Sequence, residues 1–147
     1  MHNVCPSIPN ITGNEWKYVK ECLDDGWVSS AGKYVNLFEE KISKFTKSKF
    51  SVACVNGTAA LQIALKLVGV RYDDEVIAPT LTFIAPINAI SYCNAKPVFM
   101  DCDNYYNIDT EKIINFINEE TVFKNGFTFN KRTNKRIKAI VFVHVWG

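Results

Sequence analysis

A usable set of metal ligands is the first thing this sequence lacks. It has two histidines and five cysteines (Cys5, Cys22, Cys54, Cys93 and Cys102), scattered, odd in number and without a Cys-x-x-Cys pair. That pattern argues against a zinc site and leaves Cys54 and Cys93, in apolar settings, as expected small core residues. No apolar run is long enough for a membrane span, and Met1 to Pro9 has neither the basic nor the apolar part of a signal peptide. A cytoplasmic location is the default expectation. The formal net charge is only +2, too little to argue for a nucleic-acid or membrane partner. There is no Gly-x-Gly-x-x-Gly and no Gly-x-x-x-x-Gly-Lys-Ser/Thr, which removes the two commonest nucleotide-cradling loops. Internal repeats and low-complexity tracts are absent as well.

What is present is an ordinary globular composition, 48% hydrophobic and 22% charged, over a length that suits one domain. Residues 1–47 read as a helical arm. One amphipathic segment runs from Asn14 to Leu23 (Trp16, Val19, Leu23), stopped by Asp24-Asp25-Gly26. A second runs from about Tyr34 to Thr46 with Val35, Phe38, Ile42 and Phe45 on one face. From about residue 48 to 147 the pattern becomes strand-helix units: Lys49–Leu67, then Glu75–Ala78 with a helix to about Cys93, then Pro97–Asp101 with a helix from Asp109-Thr110 to about Asn118. Such alternation predicts a parallel sheet with crossover helices on its faces. Residues 121–138 interrupt it with six Lys and Arg and no acid, expected as a solvated hairpin insertion. Ile137–Val143 is almost wholly apolar and predicts a central buried strand. After His144-Val145-Trp146-Gly147 no covering helix follows, so the chain reads as the front part of a larger domain with exposed apolar surface.

The junction Val55-Asn56-Gly57-Thr58-Ala59 carries the most chemistry. An apolar strand-like run (Phe50, Val52, Cys54, Val55) meets a helix of good formers, Ala59 to Leu67, with no spacer. The first N–H groups of such a helix have no intrahelical partner, and with the dipole and a Thr hydroxyl they suit a phosphate. The plainer reading is a Thr that merely caps a helix. Ligands of open α/β sheets bind at the carboxyl ends of the strands. That rim gathers Asn56-Gly57-Thr58, Pro79-Thr80-Leu81-Thr82-Phe83, Asp101 to Asp103, and His144. A planar phosphorylated cofactor suits a cradle at Gly57, Thr58 and Ala59 beside an aromatic at Phe83, unless Phe83 is simply core.

The sequence resembles the DegT/DnrJ/StrS family of nucleotide-sugar aminotransferases along essentially its whole length. The matching pieces are Gly26-Trp27-Val28-Ser29-Ser30-Ala31-Gly32-Lys33-Tyr34-Val35, Phe38-Glu39 and Asn56-Gly57-Thr58-Ala59-Ala60-Leu61. They continue with Gly69-Val70, Asp74 to Pro79, Thr82-Phe83 and Pro97 to Asp101. The basic insertion resembles that of enzymes making bacillosamine- or legionaminic-acid-type sugars. The resemblance implies an α/β fold, the front part of the large domain of pyridoxal-phosphate transferases of the aspartate-aminotransferase type (fold type I). It implies pyridoxal 5'-phosphate (PLP) as cofactor, a nucleotide-linked keto sugar and glutamate as substrates, and a homodimer. It gives the phosphate to Gly57, Thr58 and Ala59, the ring face to Phe83, and a substrate-side loop to Ser29 and Ser30. The family's Schiff-base lysine lies beyond the equivalent of Gly147, and no lysine here occupies a matching position. The chain alone is therefore expected to be inactive, as an amino-terminal portion of an aminotransferase or as a non-catalytic PLP-binding or dimerising module.

Overall fold

A computed structural model describes residues 8–145; the readings made above at Cys5, Trp146 and Gly147 lie outside the described residues. The chain divides into two compact units, Met1–Ala53 and Cys54–Gly147, taken here one at a time.

In the first unit, helix α1 spans Glu15–Asp24 and helix α2 spans Lys33–Thr46. Glu15 starts α1 with an acid in its first turn, and its carboxylate accepts from the Gly13 N–H at 2.8 Å. Gly26, at φ +73°, turns the chain out of α1 as its sequence position predicts. The helices are joined by polar contacts: Lys33 Nζ lies 3.1 Å from both Glu21 Oε2 and Asp25 Oδ2, and the Tyr34 hydroxyl donates to the Glu21 carboxylate. That bond holds the Tyr34 phenol up at about 12. Neither helix contains a buried residue. The expected apolar stripe of α2 forms, but Phe38 and Phe45 on it remain exposed.

The second unit is built on a five-stranded sheet. Helix α3 spans Gly57–Leu67, strand β1 Glu75–Pro79, helix α4 Ile84–Tyr92, strand β2 Lys96–Met100 and helix α5 Thr110–Glu120. Strands β3 (Thr121–Lys124), β4 (Phe127–Asn130) and β5 (Arg136–Ile140) complete it, in the order β2-β1-β5-β4-β3. β1 runs parallel to β2 and β5, while β4 is antiparallel to both β5 and β3. All five residues of β1 are buried, as a strand covered on both faces must be. Alternation assigns its side chains. Val76 and Ala78 pack with Leu65 of α3 and with Ala89 and Ile90 of α4; Ile77 packs with Met100, Ile108 and Ile113 of α5 on the other face. Pro86 falls in the first turn of α4, where its missing N–H costs nothing. Asp109 caps α5, its Oδ1 accepting from Lys112 N at 3.0 Å. The outer strand β2 begins Lys96-Pro97, two residues that discourage further pairing along that edge.

Three expectations are corrected. The run Phe50–Val55 forms no strand, because no described strand pairs with it to complete a ladder. Cys54, expected in the core, is exposed for the same reason, whereas Cys93 is buried. β5 is central in the sheet but only half-buried, and Ile140 and Phe142 at its carboxyl end are exposed.

The basic stretch is more than a solvated face. Three successive acids before and at the start of β1 each hold one residue from the segment leading into β5. Lys135 Nζ is 2.5 Å from Asp73 Oδ1; Arg136 donates through Nε and a terminal nitrogen to Asp74 at 2.8 and 2.5 Å; Asn130 Nδ2 donates to Glu75 Oε2 at 2.9 Å. Burial pushes the Asp74 carboxyl up, but the Arg136 guanidinium and the Arg71 N–H outweigh it and hold it below the usual range. This clamp fastens the β5 end of the hairpin to β1 and uses two of the cations that a nucleic-acid surface would need. A second hairpin, β3–β4, closes over Asn125-Gly126 with φ of +53° and +81°, the backbone that an Asn-Gly turn supplies.

Candidate functional site

Strand order and crossover direction locate the site. The chain leaves β1 through α4 to β2 on one side, and returns from β2 through α5 and the hairpins to β5 on the other side of β1. α4 and α5 cover opposite faces, so the connections diverge at the carboxyl ends of β1 and β5. A crevice opens at such a reversal in α/β sheets. Here it is a cleft of about 280 Å³ lined by Leu81, Thr82 and Phe83 after β1 and by Val143, His144 and Val145 after β5. The ladder continues into its floor, with Val141 N donating to Ile77 O at 2.8 Å.

Phe83 is the residue preceding α4 and is 86% exposed, which excludes core packing for it within the described residues. The Thr82 hydroxyl beside it is buried and makes no hydrogen bond among the described residues. His144, named from sequence only as a rim residue, shares the cleft with Phe83. Asp101 and Asp103 are otherwise engaged. Lys112 holds the Asp101 carboxyl below its usual range, and Asp103 Oδ1 accepts from the N–H groups of Tyr105 and Asn107.

The α3 turn has the predicted shape with one change of roles. Gly57 is the first residue of the helix and Thr58 the second, but the cap is Asn56, whose Oδ1 accepts from Ala59 N at 2.9 Å. The Ala60 N–H goes to Asn56 O. Of the residues expected to meet an anion, Ala59 therefore has its donor already in use. The N–H groups of Gly57 and Thr58 carry no hydrogen bond among the described residues. Gly57 is exposed and Thr58 half-buried. The signal for the true cap was the Asn three residues before Ala59.

Ser29 and Ser30 stand in the first unit, in the loop between α1 and α2, both exposed. The Ser29 hydroxyl accepts from Ala31 N at 3.4 Å, and Ser29 lines a hollow of about 200 Å³ with Trp27, Lys33 and Tyr34.

An α/β unit with a crevice at its strand reversal and an open helix amino terminus is a ligand-binding architecture shared by many enzymes. The sequence narrows it: residues 9–147 match the DegT/DnrJ/EryC1/StrS aminotransferase family, and this chain belongs to that family. It is 37% identical over 139 residues to the GDP-perosamine synthase of Vibrio cholerae, covering 95% of this chain and 34% of that protein. It is 34% identical over 126 residues to the dTDP-3-amino-3,6-dideoxy-alpha-D-galactopyranose transaminase of Aneurinibacillus thermoaerophilus, 85% of this chain and 30% of that one. Among solved structures, the aminotransferase from Psychrobacter cryohalolentis superposes with a TM-score of 0.74 at 32% identity, covering 95% of this chain and 32% of its own. Spr1654 from Streptococcus pneumoniae, solved in its PLP form, gives 0.69 at 30% identity over 76% and 29%. The chain thus spans about a third of the length of the curated relatives it matches. Aminotransferases of this family use PLP.

Proposed function

We propose that this chain contributes the cofactor-holding part of a PLP-dependent aminotransferase that moves an amino group from glutamate to a nucleotide-linked keto sugar for surface-polysaccharide synthesis, as a homodimer. The observation that carries the reading is the open pair of N–H donors at Gly57 and Thr58, on an exposed helix amino terminus. They would take phosphate oxygens, helped by the Thr58 hydroxyl and the α3 dipole. The exposed ring of Phe83 offers the flat apolar face that a pyridine ring stacks on. The orphaned Thr82 hydroxyl marks a place where a polar group of a ligand would satisfy the protein.

When bound, the cofactor supplies an electron sink for amino transfer. The protein's part is to fix its phosphate through Gly57 and Thr58 and to hold its ring against Phe83, which sets the face open to a substrate and excludes water from the other. Ser29 and Ser30 are proposed to meet the substrate. Holding and orienting the cofactor is the role assigned here to Gly57, Thr58 and Phe83. Two nucleotide-sugar enzymes among the relatives support the substrate class. The bacillosamine- or legionaminic-type sugar implied by the insertion is the narrower form of the same proposal.

Titration of the chain with PLP, followed by absorbance and competed with inorganic phosphate, tests the reading. Thr58→Ala should weaken binding roughly threefold to tenfold, as loss of one hydrogen bond does. Phe83→Ala should do so to a similar degree. Wild-type affinity in both variants would remove the cradle and leave a module that does not bind PLP here.

A further inference from the structure

The sequence contains two Asn-Gly pairs, Asn56-Gly57 and Asn125-Gly126. In such a pair the glycine nitrogen can reach the side-chain amide carbon of the asparagine, because no Cβ hinders the approach. The fold holds the two pairs differently. Asn125 at φ +53° and Gly126 at φ +81° form the turn of the β3–β4 hairpin, and the pair Lys124–Phe127 closes the ladder beside them. Bringing the Gly126 nitrogen to the Asn125 side chain means undoing that turn. Asn56 has extended backbone, φ −162° and ψ 171°, and Cys54 and Val55 before it belong to no strand. Asn56 and Gly57 are both exposed, and the Gly57 N–H carries no hydrogen bond among the described residues.

Two further features act on the reacting atoms. Asn56 Oδ1 accepts from Ala59 N at 2.9 Å, so the side-chain carbonyl already faces the first turn of α3. The same N–H is placed to hold the negative charge that develops on Oδ1 when a nucleophile adds to the amide carbon. The Gly57 N–H stands at the positive end of the α3 dipole, which eases loss of its proton. We propose that Asn56-Gly57 is a self-modifying site. The deprotonated Gly57 nitrogen bonds to Asn56 Cγ, the Cγ–Nδ2 bond breaks, and Nδ2 leaves as ammonia. Water then opens the cyclic imide at either carbonyl, leaving aspartate or isoaspartate and returning the Gly57 N–H. No oxidant or reductant takes part. The new carboxylate lies beside the Gly57 and Thr58 N–H groups and repels an anion there. This consequence alone rests on the reading of the cradle as a phosphate site; a phosphate seated on the Gly57 N–H occupies the nucleophile and stops the attack.

Incubation of the 147-residue chain at mildly alkaline pH, with peptide mapping by mass spectrometry, follows both pairs at once. Asn56 should convert roughly tenfold faster than Asn125. Gly57→Ala, whose added Cβ meets nothing within 4 Å, should slow conversion at Asn56 roughly tenfold with circular dichroism unchanged. Saturating PLP should slow Asn56 and leave Asn125 unmoved. Asn56→Asp keeps a capping oxygen and should weaken PLP binding about tenfold through its added charge. Equal rates at the two pairs, a faster Asn125, or a wild-type rate in Gly57→Ala would each overturn the proposal. If fresh chain binds no PLP, the cradle reading fails while the order of the two pairs still decides this one. If it binds PLP and Asn56 converts as fast as before, the link between modification and cradle is overturned.

Discussion

The two units answer the same demand for burial in different ways. In Cys54–Gly147 one strand, β1, is buried along its whole length and gathers helices on both faces. In Met1–Ala53 two helices with clear apolar stripes bury nothing fully, and what joins them is a set of exposed charge pairs and the Tyr34–Glu21 bond. Exposed ion pairs contribute little, typically under about 1 kcal/mol, whereas burying a single aliphatic side chain contributes roughly 1.5–3. The lesson is that amphipathicity alone makes a helix fit for packing, and a sheet supplies the surface to pack on.

The sharpest attempt to break this contrast is Ile77→Ala against Phe45→Ala. Ile77 is wholly buried, and its truncation should cost about 4 kcal/mol in the denaturant-unfolding free energy of the second unit. Phe45 is 86% exposed, and its loss should stay within about 0.5 kcal/mol. Equal costs would mean that Phe45 packs into a core of its own.

The next effect concerns the clamp. Arg136→Met leaves Asp74 buried without its partner and should cost about 3 kcal/mol, less than the core truncation but well above any surface pair. The carboxyl of Asp74 sits below its usual range in the folded state, so its contribution is present above the unfolded value near 4 and is lost as pH falls through the lower folded value. Acid unfolding of the wild type should therefore steepen below about pH 4, and Arg136→Met should flatten that limb. A variant with an unchanged acid limb would show that the pair carries no linkage.

The smallest change sharpens the reading of the cradle. Asn56→Ala should cost about 1 kcal/mol as α3 loses its cap, while freeing the Ala59 N–H for an anion. PLP affinity should hold or rise. A fall would transfer the ligand's contact to Asn56 itself.

Much of this was legible beforehand. The Asn14–Leu23 and Tyr34–Thr46 periodicities, the Asp109 cap and the apolar β1 run depend on neighbours a few residues apart, and local rules reach that far. Asn125-Gly126 is the local signal for the β3–β4 hairpin, set within a basic stretch whose charge pattern by itself points only to a solvated face. The failure at Phe50–Val55 is of another kind: its residues suit a strand, but a strand exists only where a second strand lies alongside. Gly57 and Thr58 were found from their local turn, whereas the role of Asn56 against Ala59 depends on one side-chain rotation that spacing leaves open.

By itself, the amino-acid sequence determined the elements with strong local signals and, through its motifs, the family and the helix start at Gly57. Only the tertiary structure decided that Asp73, Asp74 and Glu75 would meet Lys135, Arg136 and Asn130, residues some 55 to 62 positions away. It also decided that Phe83 and His144, 61 apart in sequence, would share one cleft. Propensity and capping are fixed within a turn or two of the chain. Charge pairing and cleft formation depend on which strands lie side by side, and that is set by burial of the whole sheet at once.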